Sequence, residues 1–105
     1  MLFQYVNRIH EIYGSELKAV ILYGSYARGD YTESSDIDIM ILVDSTEDTI
    51  KQKGRMVSDI TFDFNLDHDI MIMPIVKNVN HFHYWLPADP FYKNVKNDGV
   101  ELYVA

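Results

Sequence analysis

A chain of 105 residues is sized for one small domain, since folded domains mostly run to about 100–150 residues and chains split only when much longer. Hydrophobic residues at 48% and charged residues at 24% supply a packed core and exclude a disordered chain. Nine Lys and Arg against sixteen Asp and Glu, net charge −7, with no cysteine at all, exclude a long nucleic-acid partner, disulfides, a thiol nucleophile and cysteine-ligated metals.

The chain begins Met-Leu-Phe-Gln-Tyr-Val-Asn-Arg, with neither the basic start nor the long apolar run of a leader, and no stretch approaches a membrane span. A cytoplasmic location and no membrane partner are expected. Leu2, Val6, Ile9 and Tyr13 recur at helical spacing with polar residues between them, which predicts an amphipathic helix ending at Gly14. Leu17 to Tyr23 is a short β-prone run stopped by Gly24, a mostly buried strand. Gly24 to Ser35 carries two glycines, hydroxyls and mixed charges, a loop with one helical turn around Tyr26 to Arg28.

Asp36 to Val43 is a second strand, and Ile50, Val57, Ile60 and Phe64 keep an approximate helical period from Thr46 to Leu66 with Gly54 as a weak point. Asp69 to Val76 is a third β-type run, in which Pro74 points to an edge position or a bend. Beyond Asn78, Asn80, Pro87 and Pro90 as punctuation, a short helix over Pro90 to Asn97 and an extended piece from Val100 to Val104 close the chain. The expectation is a single α/β domain over residues 1–105, a small mixed sheet flanked by helices.

Side chains two apart on a strand share a face, so Asp36 and Asp38 project together while Ile37, Ile39 and Ile41 face the other way. Paired carboxylates repel unless a cation relieves them, and Mg²⁺ favours carboxylates combined with substrate phosphates. Two-metal nucleotidyl transfer places ions roughly 3.5–4 Å apart and normally uses a third carboxylate. Asp69, at the head of the next β-type run, is the candidate for that third, with Asp67 as the alternative. Gly24-Ser25 after a buried strand is a setting in which backbone N–H groups converge on phosphate, and Arg28 lies one turn on to pair with triphosphate charge.

Other features read more plainly. Asp30 and Glu33 suit turns and caps beside glycine. His81 and His83 lack a third nearby ligand and read as exposed positions on a loop or helix, and His68 as at most a neighbour of the site. Tyr84, Trp85, Leu86, Phe91 and Tyr92 read as core by default, with part of them open to a partner.

Gly24-Ser25-Tyr26-Ala27-Arg28-Gly29-Asp30, followed after ten residues from Ser25 by Asp36-Ile37-Asp38, resembles the signature of the minimal nucleotidyltransferase family within the DNA polymerase β-like superfamily. The likeness extends through Asp69-Ile70-Met71, as the third-carboxylate strand, and through Pro90 to Val95 and Gly99-Val100. It implies a polymerase β-like fold, two Mg²⁺ ions at Asp36, Asp38 and Asp69, ATP or another NTP at Gly24, Ser25 and Arg28, and release of pyrophosphate. Many members of that family are encoded with a helical HEPN-type toxin that they neutralise, some by transferring AMP to a tyrosine of the toxin. The expected function is therefore transfer of a nucleoside monophosphate to a protein hydroxyl. The rival is a contact-only antitoxin that uses Tyr84 to Tyr92, and a third class is modification of an aminoglycoside-type small molecule. A homo-oligomer fits any of these.

Overall fold

A computed structural model describes all 105 residues. Four strands form one sheet in the order β3-β2-β1-β4, where β1 is Leu17–Tyr23, β2 is Ile37–Val43, β3 is Ile72–Asn78 and β4 is Val100–Val104. β1 is antiparallel to both β2 and β4, whereas β2 and β3 run parallel, so the sheet is mixed as expected. Helices α1 (Leu2–Tyr13) and α3 (Glu47–His68) cover one face, α4 (Val79–Trp85) and α5 (Pro90–Asp98) lie on the other, and α2 (Ser25–Arg28) is a single turn after β1.

The period of two in β2 divides the core. Ile37, Ile39, Ile41 and Val43 pack with Tyr5, Ile9, Val57 and Phe64 from α1 and α3. Met40 and Leu42 join Ile21, Phe82, Tyr92 and Val95 beneath α4 and α5. A strand covered on both faces must be apolar at nearly every position, and β2 is, until Asp38. Each fully buried Ile here stabilises the fold by roughly 1.5–3 kcal/mol relative to exposure. A buried hydrogen bond of 2.7 Å joins Tyr5 to Thr61, whose hydroxyl also donates to the Val57 carbonyl at 2.7 Å.

Helix α3 starts at Thr46, whose hydroxyl accepts the Thr49 N–H, with Glu47 and Asp48 in the first turn to complement the helix dipole. It runs unbroken for 22 residues through Gly54; the packing of Val57, Thr61 and Phe64 outweighs one unfavourable glycine. The helix ends at Asp69, which adopts left-handed φ 52 and ψ 50. The third strand therefore begins at Ile72, and the expected start at Asp69 is corrected: residue 69 closes a helix.

β3 is an edge strand, as Pro74 indicated. The Ile37 N–H donates to the Met71 carbonyl at 2.8 Å, so ladder alternation turns the N–H and C=O of Ile72 and the ring nitrogen of Pro74 to the outer edge. Asn65 occupies that edge beside Ile72, accepting its N–H at 2.8 Å and donating to its carbonyl at 3.3 Å. An amide in place of a strand, followed by a residue with no N–H, blunts the edge against further pairing.

Helix α4 was not expected as a helix. Asn78 caps it by accepting the His81 N–H at 3.0 Å, and Phe82 anchors it in the core. Of the aromatic stretch read as core, only Tyr92 is buried; Tyr84, Trp85 and Phe91 are exposed. No helix is long and apolar enough to cross a membrane.

Candidate active site

The two antiparallel strands β1 and β2 bring Tyr23 opposite Asp38, so the chain leaving β1 passes directly over that carboxylate. The passage requires glycine. Gly24 has φ 77 and ψ −154, a region almost closed to other residues, and a Cβ there would collide with Asp38 Oδ2 and lie 3.3 Å from its Cγ. The turn α2 follows at once: the Arg28 N–H donates to the Gly24 carbonyl at 3.1 Å, and Gly29 ends the turn in the left-handed region at φ 82. The amides of Ser25, Tyr26 and Ala27 precede the first bond of that turn and have no acceptor within it.

Asp36 stands one residue ahead of β2 and is exposed, while Asp38 is half-buried on the same side of the strand. Burial raises the Asp38 carboxyl above its ordinary pKa of 3.8, the Asp36 charge raises it further, and Arg28 opposes them. Arg28 itself makes a 3.3 Å contact through Nε to Asp30 Oδ2, with both side chains well exposed. Such a surface pair is worth little and does not hold the guanidinium against a stronger anion. Tyr23 borders the pair on the β1 side; burial and then the Asp38 charge push its hydroxyl up to about 12. Its ring meets Phe91 of α5 edge-on, with 5.6 Å between centroids.

The structure thus brings together Gly24, Ser25, Arg28, Asp36 and Asp38. It does not bring Asp69 to them. Although β2 and β3 are neighbours, as the sequence reading required, Asp69 lies in the turn before β3, exposed, facing an open cleft of about 600 Å³ that it shares with Tyr26, Glu33, Ser34, Ser35, Ile70 and Met71. No third His, Cys, Asp or Glu joins Asp36 and Asp38 in an arrangement able to hold a metal ion. Asp67 is exposed on α3. A smaller apolar cavity of about 250 Å³, between Ala19, Leu42, Phe82 and Val95, lies farther along the same sheet face and includes none of the predicted site residues.

Sequence reading missed two neighbours of Asp38, Tyr23 across the antiparallel ladder and Met73 across the parallel one, and Phe91 packed against Tyr23. Only Tyr23 had a local signal, as the last strand residue before Gly24. The loop carries one more unforeseen element, Tyr26 stacked on Tyr31 at 4.3 Å and 6°, which stiffens the segment between Ser25 and Asp36. As a donor set, two like-charged carboxylates on one strand face, unrelieved by any nearer cation than Arg28, suit a divalent ion whose other ligands come from phosphate oxygens and water.

A mixed sheet carrying a glycine-serine turn over an Asp-x-Asp strand defines a nucleotidyltransferase. The family model described as "Polymerase beta, Nucleotidyltransferase" matches residues 7–103, and the chain belongs to that family. It is 38% identical over 101 residues to "Putative protein adenylyltransferase MJ0141" of Methanocaldococcus jannaschii, covering 94% of this chain and 92% of that one. A second protein of the same description and organism, MJ0604, is 37% identical over 100 residues, covering 95% and 92%. Among solved structures, a toxin-antitoxin crystallised with AMP-PNP superposes with a TM-score of 0.63 at 19% identity, covering 100% of this chain and 75% of that one; at that identity the likeness is one of fold.

Proposed function

We propose that this chain transfers AMP from ATP to a hydroxyl group of a protein acceptor, with Mg²⁺ as cofactor, and that the acceptor is a helical HEPN-type toxin which the chain neutralises as a cytoplasmic antitoxin. The observation that carries the reading is the packing of Asp38 against Gly24 with Asp36 alongside, which puts paired carboxylates and a side-chain-free backbone approach in one place. Its support on the acceptor side is the adenylyltransferase description of the relatives at 38% and 37% identity and the toxin-antitoxin assembly of a fold neighbour.

In this reading Gly24 leaves room for the triphosphate to approach the backbone, Ser25 adds a hydroxyl donor, and Arg28 exchanges Asp30 for phosphate. Asp36 and Asp38 would hold Mg²⁺, which when bound would supply positive charge to offset that of the phosphates. The acceptor oxygen bonds to the α-phosphorus, the bond to the bridging oxygen of pyrophosphate breaks with its electron pair, and the hydroxyl proton passes to solvent. Orientation by the rigid β1–β2 pair supplies most of what the chain contributes.

The test is intact-mass analysis of the protein encoded beside this chain after incubation with it, ATP and Mg²⁺, next to an Asp36→Asn/Asp38→Asn control. A mass gain of one or more adenylyl groups, absent from the control, establishes the activity. An unmodified partner in a tight complex, equally bound by the control, replaces it with neutralisation by contact alone, a reading that the exposure of Tyr84, Trp85 and Phe91 favours as the interface.

A further inference from the structure

The place of a third carboxylate beside Asp36 and Asp38 is open to inspection because it depends only on register. β2 and β3 are parallel, with Ile37 opposite Ile72 and Asp38 opposite Met73, and the Ile37 N–H bonded to the Met71 carbonyl at 2.8 Å. Strand alternation then gives the side chains of β3 to the two faces in turn. Ile72 is 1% exposed in the core that Ile37 also enters. Met73 belongs to the Asp36/Asp38 side and is 47% exposed, on an open surface rather than in a core, whereas Met71, just ahead of β3, has its sulfur at the outer edge, accepting from Asn65 Nδ2 at 3.8 Å, and lines the cleft of Asp69. On the opposite flank Asp38 faces Tyr23.

Asp69 would come to this face only as part of an extended segment, and four hydrogen bonds between Asn65 and the backbone hold the segment otherwise. The Asn65 carbonyl accepts the N–H groups of Asp69 and of Ile70, the latter at 3.1 Å, while the Asn65 side chain takes the N–H and the carbonyl of Ile72 at 2.8 and 3.3 Å. The turn that aims Asp69 into the neighbouring cleft is thus the same one that protects the sheet edge. The residues flanking Asp38 across the sheet are a thioether, Met73, and a phenol, Tyr23, and a thioether is a soft, weak donor that Mg²⁺ and Mn²⁺ pass over for oxygen.

Resting on the transferase reading above, we infer that this chain has a two-carboxylate centre in which Met73 holds the register position beside Asp38 that a third carboxylate would take, so that the chain and its nucleotide hold a single divalent ion. The acceptor hydroxyl then reaches the α-phosphate across a flexible apolar border, and Asp69 has no part in ion binding.

Equilibrium dialysis against Mn²⁺ with the non-hydrolysable analogue AMP-PNP, counting protein-bound ions, tests this without turnover. The expected result is one ion per chain for the parent and for Asp69→Asn, none beyond the free nucleotide's own for Asp36→Asn/Asp38→Asn, and two per chain for Met73→Asp or, as a second variant, Met73→Glu. Two ions on the parent chain, loss of an ion from Asp69→Asn, or no added ion in either Met73 variant would overturn the inference. Failure of the parent to retain any ion or analogue overturns the transferase reading itself, and this inference with it.

Discussion

The carboxylate of Asp38 rests against the α-carbon of Gly24, leaving no space for even a methyl group between them. Two demands therefore converge on one position, since φ 77 and ψ −154 would already strain any other residue by about 1–3 kcal/mol. Gly24→Ala should add a displacement of Asp38 to that strain. The expected outcome is a melting temperature lower by roughly 4–8 °C for each kcal/mol lost and AMP-PNP binding weakened more than about tenfold, the equivalent of 1.4 kcal/mol, measured by calorimetry. Parent-like melting and affinity would show that the site does not depend on this contact.

Asp38 also carries a cost to the fold at neutral pH. Its carboxyl is raised above 3.8 in the folded state by burial and by Asp36, so over the interval from 3.8 up to the raised value the native state binds more protons than the unfolded one. Stability contributed by this group is therefore present below 3.8 and declines as pH rises through that interval. Asp38→Asn should stabilise the metal-free protein near neutral pH by up to about 1 kcal/mol, a modest figure because solvent screens a half-exposed pair. Transfer activity should fall on the order of 10²–10³-fold in the same variant. Urea melts in EDTA, at neutral pH and below pH 3.8, provide the check: a variant less stable than the parent at neutral pH, or a gain that persists in acid, contradicts the assignment.

Asn65 guards the outer edge of β3. Asn65→Ala would leave the N–H of buried Ile72 without its 2.8 Å partner, at a cost of about 1–3 kcal/mol, and would expose strand groups to another copy of the chain. Lower thermal stability together with a concentration-dependent rise in sedimentation coefficient is expected. Asn65→Asp keeps the acceptor for the Ile72 N–H and should fall between the two. Were Asn65→Ala to remain as stable and as monodisperse as the parent, the edge-protection account would fail.

What the sequence made legible was local. Leu17–Tyr23 and Val100–Val104 appear where alternation of β-prone residues and flanking glycines place them, and Asp36, Asp38 and Gly24 assemble because a strand period and a strand stop lie within one hairpin. The misreadings are tertiary. Asp69-Ile70-Met71-Ile72 alternates like a strand, yet Asn65, bonded to the backbone of Asp69, Ile70 and Ile72, turns its first part into a helix cap. The identity of the residue beside Asp38 depends on the register of β3 against β2, strands separated by the whole of α3, which no local pattern records. Helix α4 was hidden because Val79, Phe82, Tyr84 and Trp85 are weak helix formers. Asn78 at its start was the available signal.

That same Asn78 gives the last test, because it serves two elements at once. Its Oδ1 accepts the His81 N–H at 3.0 Å, and its Nδ2 donates to the Ser45 carbonyl at 2.8 Å, tying the start of α4 to the end of β2. Loss of the cap alone costs about 0.5–2 kcal/mol, and an orphaned Ser45 carbonyl adds to it without strict additivity. Asn78→Ala should therefore loosen α4 locally, with faster amide exchange from His81 through Trp85 as Phe82 leaves its cluster with Met40 and Leu42. Gly24 and Asp38 are held by the β1–β2 ladder at its other end, so AMP-PNP affinity should stay within about twofold, well under the 1.4 kcal/mol of a tenfold change. Loss of nucleotide binding in this variant would mean instead that α4 takes part in shaping the site. Unchanged exchange would mean that Phe82 packing alone holds the helix.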